Sequence, residues 1–465
     1  MSKKTMTQEL AKAKLIKEAE AEIARLLEDA AEWQAEHPEA TWDEIELEVL
    51  HLRQRFGAHL GKVMAKCRAE QRPVPGPRCP ECGEELRYKG EKERLVVSML
   101  GEIPLKRGYY YCSACRRSSF PLDQALDLHG QRWSPYLMRT VTWLAGHLPY
   151  ARVQEVLAEL SGVEVSSTSA WRIGQQYGEA LQTVLAAEET EIKAQSREWS
   201  TPGKRTTPRE RMGVAMDGAM MNIRDEGWKE FKVGTVFEIE PRQQCDPQTG
   251  ACEMYGHAIN ISYVAHLGGP KDFGWKVWTE AHRRGWQRAW DSQVLGDGAV
   301  WIWNLHQEHF HTSLGVVDWY HATGHLSCAQ HTPYPEGGSA ATCWYNRQKE
   351  ALYQGHADQI AREISQRAAQ EDNPDREAEI KKEAGYFKNN HERMQYRDYR
   401  LEGWPIGSGM VESGAKQFKT RVTGPGMRWG RKGAQNILAV RGAVLTGRER
   451  FDSLWARAYT NSPPS

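Results

Sequence analysis

Apolar positions in the first 66 residues recur at helical spacing. Ile45, Val49, Leu52, Phe56, Leu60 and Val63 form one stripe behind Thr41-Trp42-Asp43-Glu44, the pattern of a capping box. Such a stripe serves either as a seam between two copies of the chain or as a packing surface for its own next domain. Pro73, Pro75, Gly76 and Pro77 break the helix, so residues 1–72 are expected to be an N-terminal helical region. Two alternating strands, ERLVVSML and PLKRGYYYC, follow within a small domain over 73–128. Helical spacing returns over 131–182 as consecutive short helices, giving a helical module over 129–195. In it one helix ends at Gly162, and after a turn Ser166 or Ser167 caps a second that carries Ser169, Arg172, Gln175 and Gln176 on its open side. A polar, proline-bearing stretch, SREWSTPGKRTTPRER, reads as a linker over 196–211.

Beyond the linker the period changes from helical to two. RMGVAMDGAMMNI, KEFKVGTVFEIE and AINISYVAHL read as three hairpin-linked strands, and FGWKVWTEAHRRGW as a helix. A fourth strand ends at Asp297 in SQVLGDGAVWIWNL, where Trp301 and Trp303 are expected to pack on alternate sides of a strand. LGVVDWYHATGHL is a fifth strand running into a helix. These elements predict a mixed sheet with helices on its faces, its first part over 212–321. Residues 322–403 read as a helical insertion broken by Pro333, Pro335, Gly337, Gly338 and Pro374, and 404–465 as the last part of the sheet domain.

Charge and composition narrow the function only locally. The chain of 465 residues carries 61 basic and 61 acidic side chains, so no overall field draws it to nucleic acid or membrane. No apolar run of membrane-spanning length and no signal-peptide pattern occurs, which predicts a soluble, cytoplasmic protein without a membrane partner. Four of the nine cysteines form CPEC and CSAC around the predicted hairpin, and Cys79, Cys82, Cys112 and Cys115 are expected to bind one structural zinc ion. Lys106, Arg107, Arg116 and Arg117 decorate this ribbon, either as phosphate contacts or as a solvated face. Cys245, Cys252 and His257 form only an incomplete second ligand set. The helix pair around Gly162 suits a helix-turn-helix, with Arg172, Gln175 and Gln176 presented to base edges. Near the C-terminus Lys416, Lys419, Arg421, Arg428, Arg431, Lys432 and Arg441 are interleaved with glycine and tryptophan, as in surfaces that track a nucleic-acid backbone.

Two acids stand at matching positions in the predicted sheet. Asp217 in VAMDGAM closes the first strand and Asp297 in VLGDGAV the fourth, so adjacent strands would bring both to one crevice. Each alone also reads as a turn residue. Glu412 in GSGMVESGAKQF is the best-placed third carboxylate. Three carboxylates holding two magnesium (or manganese) ions are suited to phosphodiester cleavage.

This order of acids, strands, helical insertion and late helix resembles the DDE transposases of bacterial insertion sequences. The segments GYYYCSACRRSSFPLDQALDL, GDGAVWIWNL, VDWYHATGHL and MVESGAKQFK with GMRW are similar to the ISKra group, related to the Mutator-like branch, over roughly residues 75–445. The resemblance implies a mixed α/β (α+β) fold with a ribonuclease H-like catalytic core, preceded by the zinc ribbon and helix-turn-helix. It implies Asp217, Asp297 and Glu412 as magnesium ligands, and binding to terminal inverted repeats and target DNA as a homodimer or higher oligomer at the nucleoid. It further implies that Asp318 and His321, as DxxH, are an auxiliary catalytic motif that positions strands or a flipped base. Asp318 in place of Asp297 as the second ligand, and His321 as a plain satisfied polar group, stay open. The expected reaction frees a 3′ hydroxyl and directs it at target DNA. A nuclease of the same fold that only cuts, and a non-catalytic zinc-ribbon regulator, are the competing readings.

Overall fold

The computed structural model describes residues 3–68, 73–128, 131–195, 211–245, 252–331 and 338–461. Most of the expected linker, 196–210, therefore lies outside the described residues, and Arg211 opens a strand. The chain divides into two compact units, one up to Gly174 and one from Gln175 to Thr460.

The first unit begins with a helical hairpin, α1 (Lys3–Glu36) and α2 (Trp42–Arg68). The capping box forms as expected: the Thr41 N–H donates to Glu44 Oε2 at 2.8 Å, and the Glu44 N–H to Thr41 Oγ1 at 3.4 Å. An antiparallel ribbon follows, β1 (Arg87–Ser98), β2 (Gly101–Tyr111) and the short β3 (Ser118–Ser119). The second half of the α2 stripe packs against this ribbon. A Cβ at Gly61 would stand 3.1 Å from Leu100 and 3.2 Å from Ile103, so glycine lets helix and hairpin approach closely. Val49, in the first half, stays exposed. After α3 (Pro121–Ala125) come α4 (Pro135–His147), α5 (Tyr150–Ser161) and the start of α6 (Ser167–Gln195), most of which belongs to the second unit. Leu137, Val141, Val153, Val165 and Ala170 are all fully buried among them. Gly162 ends α5 in the left-handed conformation, and Ser166 Oγ accepts the Ser169 N–H at 3.2 Å to start α6. With no breaker before Gln195, α6 is longer than the short helix expected.

The second unit is built on a five-stranded sheet: β4 (Arg211–Ile223), β5 (Gly227–Cys245), β6 (Cys252–His266), β7 (Asp291–Gly296) and β8 (Leu314–Val317), in the order β6-β5-β4-β7-β8. The pairs β6–β5 and β5–β4 are antiparallel, whereas β4–β7 and β7–β8 are parallel. One face is covered by α7 (Pro270–Arg283), whose Val277 and Phe273 lie against Gly234. Between β7 and β8 runs α8 (Val300–His309), and α9 (Trp319–His331) leaves β8. The helical stretch expected after the fifth strand is present as α10 (Ser339–Tyr353), α11 (Ala357–Ala368), α12 (Pro374–Asn390) and α13 (Tyr396–Leu401). Pro374 starts α12 rather than breaking a helix, with Asn373 Oδ1 accepting from the N–H groups of Asp375 and Arg376. Pro333, Pro335 and Gly337 lie outside the described residues. The chain returns to the sheet with α14 (Gly409–Val422) and continues through α15 (Arg431–Thr446) and α16 (Arg448–Asn461). Phe418 of α14 meets Phe231 of β5, and Gly414 fits against the Tyr263 ring.

Two expectations are corrected. Asp217 does not close the first strand but sits in the middle of β4, which continues to Ile223 as the antiparallel partner of β5. Pairing with β7 stops earlier, at Ala215 with Leu295, so Asp217 stands where its parallel neighbour has ended. Trp301 and Trp303 lie on a helix, not a strand. The buried residues Ile302, Leu305, His306 and His309 follow helical spacing, which the unbroken apolar run around them concealed. Among the described residues no helix is long and apolar enough to cross a membrane.

Candidate functional site

In the first unit the two CxxC segments form facing knuckles. The Gly83 N–H donates to the Cys79 carbonyl at 2.9 Å, and Gly83 takes a left-handed φ of 73° that an L side chain resists. All four sulfurs lie within 4.8 Å of one another, with Cys82 and Cys112 at 3.6 Å. Four sulfurs at 2.3 Å from zinc are separated by about 3.8 Å, so the set fits that ion. The N–H groups of Cys82 and Glu81 bring the Cys79 thiol down to about 7, whereas the Cys82 sulfur and burial push Cys115 up to about 12. Four thiolates need a shared cation to ionise together. Of the ribbon cations, Lys106 and Arg116 are exposed and Arg117 pairs with Glu81 at 2.8 Å. Arg107 is not available to phosphate: it is buried, paired with Asp123, and stacked on Phe120. Cys245 and Cys252 are joined as a disulfide, which withdraws both sulfurs from any ligand set with His257.

The second unit gathers its acids at the end of the parallel strands. Asp318, directly after β8, is fully buried, and its N–H donates to the Gly296 carbonyl at 2.8 Å. Its Oδ1 accepts from the Ser408 N–H at 2.5 Å, and its Oδ2 from both the N–H and Nδ1 of His321, at 2.8 and 2.9 Å. Ser408 Oγ donates to Glu412 Oε1 at 3.0 Å in the first turn of α14. Ligand atoms of Asp318, His321 and Glu412 thus lie within 4.8 Å of one another. Burial alone would raise the Asp318 carboxyl, but the donors from His321 and Ser408 outweigh it and hold it below the usual range. The same hydrogen bond, donated by His321 to Asp318, with the nearby charges of Asp318, Asp297 and Asp217, lifts His321 to about 8.

Asp217 and Asp297 flank this group within electrostatic reach. Asp217 Oδ1 accepts from the Gly218 N–H at 2.7 Å, and Asp297 Oδ1 from the Ala299 N–H at 2.8 Å. Burial pushes the Asp217 carboxyl up, and Asp297 and Glu412 push it further, against the pull of Gly218 and His321. A half-buried carboxylate whose proton affinity is raised by burial and by neighbouring acids suits a divalent cation in place of the proton. Both Asp318 oxygens accept from protein donors, which fixes the carboxylate beside His321 and Glu412. Ser408, which ties Asp318 to Glu412, was missed in the sequence, although it stands one helical turn before Glu412.

The expected nucleic-acid contacts separate into two groups. Arg172, Lys416, Lys419 and Arg428 are exposed, and Gln176 is half-buried. Lys416 and Lys419 share the face of α14 that carries Glu412, at i+4 and i+7. Arg431 and Lys432 are exposed but paired with Glu226 at 2.5 Å and Glu179 at 2.7 Å. Two other residues are structural. Arg421 is 1% exposed, stacked over Trp429, and Arg441 is likewise buried, donating to the Gln417 carbonyl. Gln175 is turned toward α15, where Asn436 Nδ2 donates to its carbonyl at 3.1 Å and to its Oε1 at 3.0 Å. No protein-family model matches the chain, and no curated protein matches it.

Proposed function

We propose that the chain is a DDE transposase whose sheet is a ribonuclease H-like core, cutting DNA at the ends of its own mobile element and joining the freed 3′ hydroxyl to a second duplex. The observation that carries this reading is that acids from β4, from the residue after β7 and from α14 stand near enough to act together on the proton affinity of Asp217, beside the Asp318–His321–Glu412 group at the ends of the parallel strands. Asp217, Asp297 and Glu412 would hold two magnesium ions. Bound there, such ions supply activation of the attacking oxygen and stabilisation of the leaving one. Gly218 and Ala299 N–H groups each engage one oxygen of an aspartate, and the second oxygen of each would bind the ion. Asp318 orients His321 by accepting from its Nδ1 and favours the charged ring, whose Nε2–H would be offered to a phosphate oxygen. Lys416 and Lys419 extend from Glu412 as a track for the backbone phosphates. The four-cysteine ribbon and the helix pair around Gly162 would select the DNA site.

Asp217→Asn tests the reading. DNA spanning the ends of the element, incubated with magnesium, should be cut and joined by the wild-type protein and left intact by the variant, while binding persists in both. Wild-type cleavage by Asp217→Asn would overturn the proposal, and cutting without joining would reduce it to a nuclease.

A further inference from the structure

The loop that carries Asp297 is pinned by a helix of the insertion. The Tyr386 hydroxyl, on α12, donates to the Asp297 carbonyl at 2.9 Å. The same ring lies against Gly298, where a Cβ would come within 2.7 Å of it and where φ is 101°. Only glycine meets both conditions without strain. On its other side the Tyr386 ring stacks on His325 of α9, with centroids 3.6 Å apart and planes 20° from parallel. His325 Nδ1 is in turn 2.7 Å from Oε2 of the buried Glu383, one helical turn before Tyr386. His325 also stands one turn beyond His321 on α9, so this row adjoins the Asp318–His321 pair.

We infer that Tyr386, held by His325 and Glu383, is a positioning residue for Asp297, through which the helical insertion sets the cation-binding geometry of the site. The inference rests on the proposed metal-dependent reading. It follows from two constraints on one short loop: the Gly296 carbonyl is held by the Asp318 N–H and the Asp297 carbonyl by Tyr386. With both carbonyls fixed, the Asp297 side chain has little freedom beyond the rotamer its bond to Ala299 selects. Loss of the phenolic hydroxyl frees the second carbonyl and lets the carboxylate drift from the other two acids. Partners of this kind, acting on ligands from behind, typically contribute about 10- to 100-fold in metal affinity or activity.

The test is Tyr386→Phe in the full-length protein, with Tyr399→Phe as its control. Tyr399 lies in the same insertion and donates to the Glu392 carbonyl, so its loss removes a comparable hydrogen bond remote from the acids. Manganese affinity without DNA, read by electron paramagnetic resonance, and the magnesium concentration for half-maximal DNA cleavage are both measured. Tyr386→Phe should weaken manganese binding and raise the magnesium requirement by about 10-fold, with DNA binding unchanged and Tyr399→Phe like wild type. Equal behaviour of the two variants, or wild-type manganese affinity in Tyr386→Phe, overturns the inference. If Tyr386→Phe fails to fold, Glu383→Gln is read in the same way, with a smaller shift in the same direction supporting the inference and none overturning it. Manganese binding unaltered by Asp217→Asn would instead overturn the underlying reading.

Discussion

Asp318 has no contact with solvent and still favours its charged form, because three donors from His321 and Ser408 offset the cost of burial. Its partner gains correspondingly. With the folded value of His321 raised to about 8, the pair stabilises the fold fully below the ordinary histidine value of ~6.5 and loses that contribution as pH rises through about 8. Without added divalent cation, the melting temperature of the wild type should therefore exceed that of His321→Gln most at pH 6, with the gap closing by pH 9. A gap independent of pH would mean that His321 is neutral throughout. At this scale the sequence was informative where chemistry is local: DxxH and VES mark the residues gathered as Asp318, His321 and Glu412, and DGA twice marks the two aspartates within electrostatic reach of them. It was uninformative about partners. Nothing adjacent to Ser408 or Tyr386 announces that one bridges two acids from the start of a late helix and the other pins a loop from the insertion.

Packing explains which elements were legible. The period-two strands, the helix pair at Gly162 and the capping box at Thr41 were readable because each depends on neighbours in sequence. The run at Trp301 was not, since an unbroken apolar stretch fits a strand and a buried helix equally, and only burial of every third or fourth residue decides. Gln175 looked like a surface group because its contact lies far along the chain. There α6 and α15 approach so closely that a Cβ at Gly178 would stand 2.7 Å from the Asn436 side chain. Glycine also controls the sheet. Gly213 on β4 pairs with Phe237 on β5, and a Cβ there would fall 2.2 Å from a phenyl ring that is fully buried. Gly213→Ala should lower stability by about 1–3 kcal/mol, since the ring must leave its rotamer. Denaturant unfolding measures this, and stability equal to wild type would show that the ring has room to turn.

The whole molecule joins a small unit that fits a structural metal to a larger one built on a sheet. The ribbon shares one cluster with α2, but its knuckle end buries only Cys79, Leu86, Tyr110 and Cys112, too little apolar surface to hold that end without a metal. Zinc analysis should find one ion per chain, and Cys112→Ser should lose it. Chelation should then speed hydrogen exchange over residues 79–119 while the β4–β5 pairing stays protected; slow exchange throughout would mean that the ribbon stands without metal. On the proposed activity, the balance of 61 positive and 61 negative side chains would leave attraction to DNA to local features such as Lys416 and Lys419 on α14. The late place of α14 in the chain has one more effect. Every strand is translated before it, so a polypeptide still on the ribosome, or one terminated early, owns Asp217 and Asp297 without Glu412. On the proposed activity, a protein able to damage its host's genome remains harmless until its last carboxylate has been made.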